Sequence, residues 1–257
     1  MGCPRFAVAT LAVVASLAVA DSARAADYFP PPVVAVPDFA SGWYLRGYVG
    51  VGLNAAYRLD YITQTNATLQ HTSNTDTFFL GGGFGYEWNN WLRFDGTIEY
   101  RAKSRVFAFV TYPPNGLDIY EGNINSWLLL ANAFVDLGTW NCFTPFVGFG
   151  IGGALNSLSD FSDFNPNGGY GFGRNPSSWH FAYAAYLGFA YNINRNLKID
   201  FTYRYLNYGS ITATVDCSVT CTHDIFKFGN LYSNDFMLGL RWTCCDLPPP
   251  PVLRSRG

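Results

Sequence analysis

The sequence predicts an all-β chain, an eight-stranded antiparallel up-and-down transmembrane β-barrel. Three observations lead there. Of 257 residues, 49 % are hydrophobic and 18 % aromatic but only 13 % charged, against about 25 % charged in an average soluble domain. Period-two alternation recurs from residue 42 to residue 243. The stretches between alternating segments are by turns short and about twenty residues long. That is the pattern of an outer-membrane barrel, with short periplasmic turns and longer outer loops. The same composition excludes disorder, whose marks are low hydrophobicity and high net charge. Sixteen Lys and Arg against eighteen Asp and Glu leave no basic excess for nucleic acid. No uninterrupted apolar run after the leader approaches the ~18 residues of a spanning helix.

Residues 1–25 read as a secretory signal: Arg5, an Ala/Val/Leu-rich stretch from Ala7 to Ala20, and the small-x-small site Ala23-Arg24-Ala25. Without Arg5, Arg24 and Asp21 the remaining chain keeps 14 basic and 17 acidic residues. Residues 26–41 form a Pro-rich periplasmic lead (Pro30, Pro31, Pro32, Pro37), residues 42–243 the barrel, and residues 244–257 a periplasmic tail.

Eight amphipathic strands of roughly ten to fourteen residues follow in order. In 42–54, Trp43, Leu45, Val49, Val51 and Leu53 oppose Tyr44, Arg46, Tyr48 and Asn54. In 77–89, Phe78, Leu80, Phe84, Tyr86 and Trp88 oppose Gly81, Gly83, Gly85 and Glu87. The third is the clearest: Leu92, Phe94, Ile98, Tyr100 and Ala102 alternate with Arg93, Asp95, Thr97, Glu99, Arg101 and Lys103. The others fall at 126–137, 143–156, 178–192, 197–208 and 233–243. Turns at Asn89-Asn90, 138–142 and 192–196 are tight, and loops at 55–76, 104–124, 157–177 and 209–232 are long.

Period two alone does not say which face looks outward, since a lipocalin-type barrel has the same strand count with its apolar face inside. The polar faces here are rich in Gly, Ala and Ser rather than in Lys and Glu, which suits a crowded interior. All seven Trp fall at strand ends. Trp43, Trp88, Trp91, Trp140 and Trp242 mark the periplasmic rim, and Trp127 and Trp179 the outer one, as in the aromatic girdles of membrane barrels.

Polar faces turned inward place Arg46, Arg93, Arg101, Lys103, Lys198, Arg204 and Arg241 in the lumen with Glu87, Asp95, Glu99, Asp136, Asp200 and Asp235. Charges in so narrow a space need partners, and these nearly balance. The expectation is a lumen plugged by ion pairs, with a small porin passing ions or small solutes as the alternative. Catalysis has thin support. Ser178 and His180 share an inward face, but a nucleophile also needs access and a carboxylate to orient the imidazole. Asp163-Phe164-Asn165-Pro166-Asn167-Gly168 opens like a calcium loop, yet Arg174 stands where the bidentate Glu belongs. Cys217 and Cys221 beside His223 suggest a disulfide in an oxidising compartment rather than a zinc half-site. Cys142 can pair with Cys244 or Cys245 at the periplasmic end, and the spacing does not choose between them. No cofactor, metal or catalytic residue is expected.

The ending Ala23-Arg24-Ala25-Ala26-Asp27 of the signal, the Pro-rich lead, the strand Gly42-Trp43-Tyr44-Leu45-Arg46-Gly47 and the strand Met237-Leu238-Gly239-Leu240-Arg241-Trp242 resemble the alphaproteobacterial outer-membrane surface antigens. These belong to the wider opacity-like and OmpA-like barrels. The resemblance implies localisation in the outer membrane, roles in envelope structure or surface contact, and no catalytic residues to transfer. The partners it implies are outer-membrane lipid and lipopolysaccharide, the barrel-insertion machinery, and a host-surface or phage ligand at the loops.

Overall fold

The computed structural model describes residues 42–54, 58–61, 68–112, 116–166, 169–194, 196–217 and 224–243. The leader, the Pro-rich lead and the closing tail lie outside the described residues, as do Cys221, His223, Cys244 and Cys245.

Alternation builds the wall. Eight strands cross it: β1 (Trp43–Asn54), β4 (Thr77–Glu87), β5 (Leu92–Tyr112), β6 (Gly116–Asp136), β7 (Phe143–Asn165), β9 (Ser177–Asn192), β10 (Leu197–Cys217) and β11 (Asp224–Thr243). Three short strands, β2 (Arg58–Tyr61), β3 (Thr68–Asn74) and β8 (Gly169–Gly173), extend one end. The ring closes where β1 meets β11, from Tyr44 opposite Thr243 to Asn54 opposite Ser233. Closure leaves no free ladder edge there, the condition for backbone in hydrocarbon.

The three tight turns share one end, and two use the same device. Asn89 Oδ1 accepts from the amides of Trp91 (2.9 Å) and Leu92 (2.7 Å). Asn194 Oδ1 accepts from those of Asn196 (2.9 Å) and Leu197 (2.8 Å). These are Asx turns, in which a side chain does the work of a backbone acceptor. The third turn reverses through left-handed backbone at Gly138, Asn141 and Cys142.

Outward and inward faces follow the predicted alternation. Leu45, Val49, Phe84, Ile98, Phe149, Leu187, Leu238 and the seven Trp are exposed on the outside. Trp127 and Trp179 both lie opposite Leu155 of β7, while Trp43 and Trp242 lie at the tight-turn end, opposite Tyr86 and Leu45. From Trp127 to Val135 the strand spans roughly 26 Å at ~3.3 Å per residue. At the usual tilt that is roughly 20 Å of height, close to the ~25 Å apolar band of such barrels.

The long loops are the main correction. β5, β6 and β10 each run 21 residues, β7 runs 23 and β11 runs 20, so most of 104–124, 157–177 and 209–232 is ladder. The physical reason is a change of surroundings along one strand. Above Ser104 polar side chains such as Arg105, Glu121 and Asn123 turn outward, while Val106, Ala108, Val110, Tyr120 and Ile124 pack inside. Period two persists, but its polarity inverts. Segment 55–76 likewise contains β2 and β3.

Gly52 faces the lumen, and a Cβ there would run into Arg101 Nη2 and Asp235 Oδ1. Gly52→Val is therefore expected to cost about 1–3 kcal/mol of stability through overpacking. Urea unfolding of protein refolded in vesicles, followed by Trp fluorescence, measures it.

Candidate functional site

The lumen is the place where this sequence concentrates chemistry. Its middle is a four-charge cluster contributed by β5, β10 and β11. Arg204 grips Glu99 with both terminal nitrogens (2.8 and 2.7 Å) and donates Nε to Asp235 (2.8 Å). Arg101 holds Asp235 bidentately (2.9 and 3.0 Å) and reaches Glu99 at 3.2 Å. Ser233 Oγ donates to Asp235 at 2.6 Å. Both guanidinium groups also lie against the Phe79 ring, at 4.8 and 5.0 Å. All four charged side chains are at most 2 % exposed. Two cations and two anions with their hydrogen bonds met form a net-neutral group, the arrangement that makes buried charge tolerable.

Toward the tight-turn end a second group centres on Asp95. Its carboxylate accepts from Arg46 (2.8 Å), Tyr44 Oη (2.9 Å) and Asn132 Nδ2 (2.7 Å). Tyr186 Oη donates to Asn132 Oδ1 at 2.9 Å, which fixes the amide's orientation. Nearer the mouth, Arg241 pairs with Asp200 (3.1 Å), Lys198 with Glu87 (3.1 Å) and Arg93 with Asp136 (3.2 Å). The Arg93 guanidinium also lies 4.1 and 4.7 Å from the rings of Phe134 and Phe146. On the other side of the four-charge cluster, Asn156 bridges Ser126 (2.7 Å) to the Tyr208 carbonyl (2.8 Å). Above it Leu158, Phe161, Leu206, Ile211, Phe228 and Leu231 fill the bore with apolar side chains.

Twelve of the thirteen predicted lumen charges face inward; Lys103 does not. Between Arg101 opposite Ser126 and Ser104 opposite Ile124, β5 carries one extra residue. This bulge shifts the alternation by one place, buries Ser104 and turns Lys103 outward, with its side chain 57 % exposed. A one-residue insertion in a ladder leaves no mark in residue chemistry, so strict alternation missed it. Sequence reading also missed Tyr186, Asn156 and Phe79 as lumen groups. Tyr186 could have been found from its phase with Ala182, Ala184 and Gly188.

Lys103 instead reaches Asp160 of β7 (3.2 Å), whose carboxylate also accepts from Asn123 (3.1 Å). The Lys103 and Asn123 hydrogen bonds hold the Asp160 carboxyl below the usual carboxylate range. Ser178 Oγ and His180 Nε2 lie 2.9 Å apart. Among the described residues no carboxylate contacts the ring, and the left-handed Gly209 packs against it. The calcium-like segment begins inside β7 and turns back into β8, with Asn165 opposite Gly169. Its residues 167 and 168 lie outside the described residues.

Comparison with known proteins agrees with this architecture. Residues 9–243 match the family model of the outer membrane protein β-barrel domain. An uncharacterized protein of Brucella abortus (strain 2308) is 31 % identical over 192 residues, covering 65 % of this chain and 68 % of that one. The outer membrane protein PagN of Salmonella typhimurium is 27 % identical over 237 residues, covering 82 % of this chain and 95 % of that one. Among solved structures, the outer membrane protein OprG of Pseudomonas aeruginosa superposes with a TM-score of 0.50 at 16 % identity, covering 80 % of this chain and 96 % of that one.

Proposed function

The chain belongs to the outer membrane protein β-barrel domain family, and from that premise we propose a non-conducting, non-enzymatic barrel that serves envelope structure and surface contact. It is an outer-membrane protein. The observation that carries the sealed-lumen reading is the Glu99–Arg101–Arg204–Asp235 cluster lying across the bore beneath an apolar fill. An ion crossing here would have to break paired, desolvated charges and then traverse a hydrocarbon-like section, both costly. Long strands at the end opposite the tight turns support presentation of the hairpins outside the cell, since such barrels keep their short turns periplasmic. Cys142 belongs to this reading as one partner of a periplasmic disulfide. Its turn lies at the end where β11 finishes at Thr243, which supports pairing with Cys244 or Cys245. A host-surface or phage ligand at the hairpins belongs to the same reading.

The test is single-channel recording of refolded protein in a planar bilayer, with heat-modifiable gel mobility as the folding control. Folded protein is expected to give no steady conductance. Stable openings would overturn the reading in favour of a small pore.

A further inference from the structure

Just past the outer aromatic belt, where Tyr100 and Trp127 lie with ring centroids 4.9 Å apart, the outward positions turn polar at Lys103, Arg105 and Asn123. One step further they turn apolar again. Phe107 and Phe109 face out from β5 with ring centroids 4.8 Å apart. Phe109 lies opposite Ile119 of β6, and Ile119 opposite Phe164 of β7, so an apolar row crosses three strands. Phe107, Phe109 and Ile119 are half-buried, and Phe164 is 38 % exposed. Hydrocarbon accounts for outward apolar side chains below the belt, but not for a second apolar row set apart from them by a charged band. An apolar patch rimmed by polar groups marks a protein contact. At its edge Glu121 lies opposite Phe107 and pairs with Arg105, the two side chains being 35 % and 65 % exposed.

We infer that this face docks a second copy of the chain, about a two-fold axis along the membrane normal. Two copies inserted in one bilayer share height and orientation, so the apolar row of one meets the same row of the other. The charges fit the same axis. Arg105 and Glu121 stand on neighbouring strands and their charged ends touch, so they sit at one level. A half-turn about the normal then sets Arg105 against the partner's Glu121, and Glu121 against the partner's Arg105. Four charges alternate in sign around the axis, the self-complementarity that an isologous contact needs. Within one chain the exposed pair contributes little. Closing Phe109 and Ile119 of both copies beside it removes water and strengthens every attraction among the four. Two convex walls touch over a small area, so the contact is weak in solution. Confinement in one bilayer raises its effective concentration.

The experiment measures energy transfer between donor-labelled and acceptor-labelled copies, refolded together in phosphatidylcholine vesicles at several protein-to-lipid ratios. Wild type should transfer above the level set by random proximity. R105E gathers four carboxylates around the axis and E121R four cations, and each should weaken association by about tenfold. Donor-labelled R105E mixed with acceptor-labelled E121R should restore it, because each copy then offers the other the opposite sign. That recovery reads contact between chains, since neither variant keeps the ion pair within its own chain. Wild-type transfer at the random level would overturn the dimer. So would single variants that associate like wild type, or a mixture no better than the singles. F109Q leaves the charges in place, removes apolar contact and should also lower transfer, which keeps the test available if a charge reversal misfolds. Unchanged transfer in F109Q would overturn this face as the interface. Heat-modifiable mobility reports the folding of every variant.

Discussion

Glu99→Ala is expected to lower the unfolding free energy by about 3–5 kcal/mol, the usual cost of leaving buried charge unpaired. Arg204 gives Glu99 two hydrogen bonds of 2.8 and 2.7 Å, and Arg101 a third of 3.2 Å. Truncation leaves two guanidinium groups facing the single carboxylate of Asp235. The companion variant is Glu99→Leu with Arg204→Met. It removes one charge of each sign, fills similar volume and leaves the bidentate Arg101–Asp235 pair intact, so most of the loss should be recovered. Urea unfolding in vesicles gives both values. A loss below about 1 kcal/mol for Glu99→Ala, the range of exposed pairs, would mean that water reaches the cluster. The sealed-lumen reading would then weaken together with it.

Phe149→Arg is expected to cost about 2–4 kcal/mol, whereas Leu137→Arg should cost about 0–1 kcal/mol. Phe149 lies midway along the apolar exterior, opposite Ala133 and Ala185, and is exposed there. Leu137 is as exposed but sits in a turn at the rim. A charge at mid-height meets hydrocarbon, and at the rim it meets headgroups and water. The same urea titration distinguishes the pair. A barrel whose outer wall met water would tolerate both substitutions equally.

The strands and their facing were legible because lipid and lumen impose opposite demands on alternate residues. Phe94, Ile98 and Tyr100 against Arg93, Glu99 and Arg101 is a pattern that few other environments produce. The charge pairing was legible only as a balance of signs. That Arg204 would grip Glu99 rather than Asp95 depends on register across strands far apart in the chain, which one sequence does not encode locally. Lys103 failed for a related reason, because a bulge changes facing without changing composition. The outer loops failed because the criterion was an apolar outside. Val106, Ala108 and Val110 turn apolar side chains inward instead, and such a change within one strand looks like the end of that strand.

The continuation of β5, β6 and β7 beyond the Trp127 level has a consequence for how this protein changes over time. From Trp127 to Gly116 the strand rises for roughly 35 Å at ~3.3 Å per residue, with its own packed interior at that height. The hairpin tips are thus carried on a stiff mast whose stability is set below them. Sequence at the tips can drift, lengthen or be exchanged at little cost to folding, and a ligand meeting them finds an already ordered support. Change at the tips is in this way uncoupled from the packing of the barrel. Substitution there would leave the charged lumen untouched.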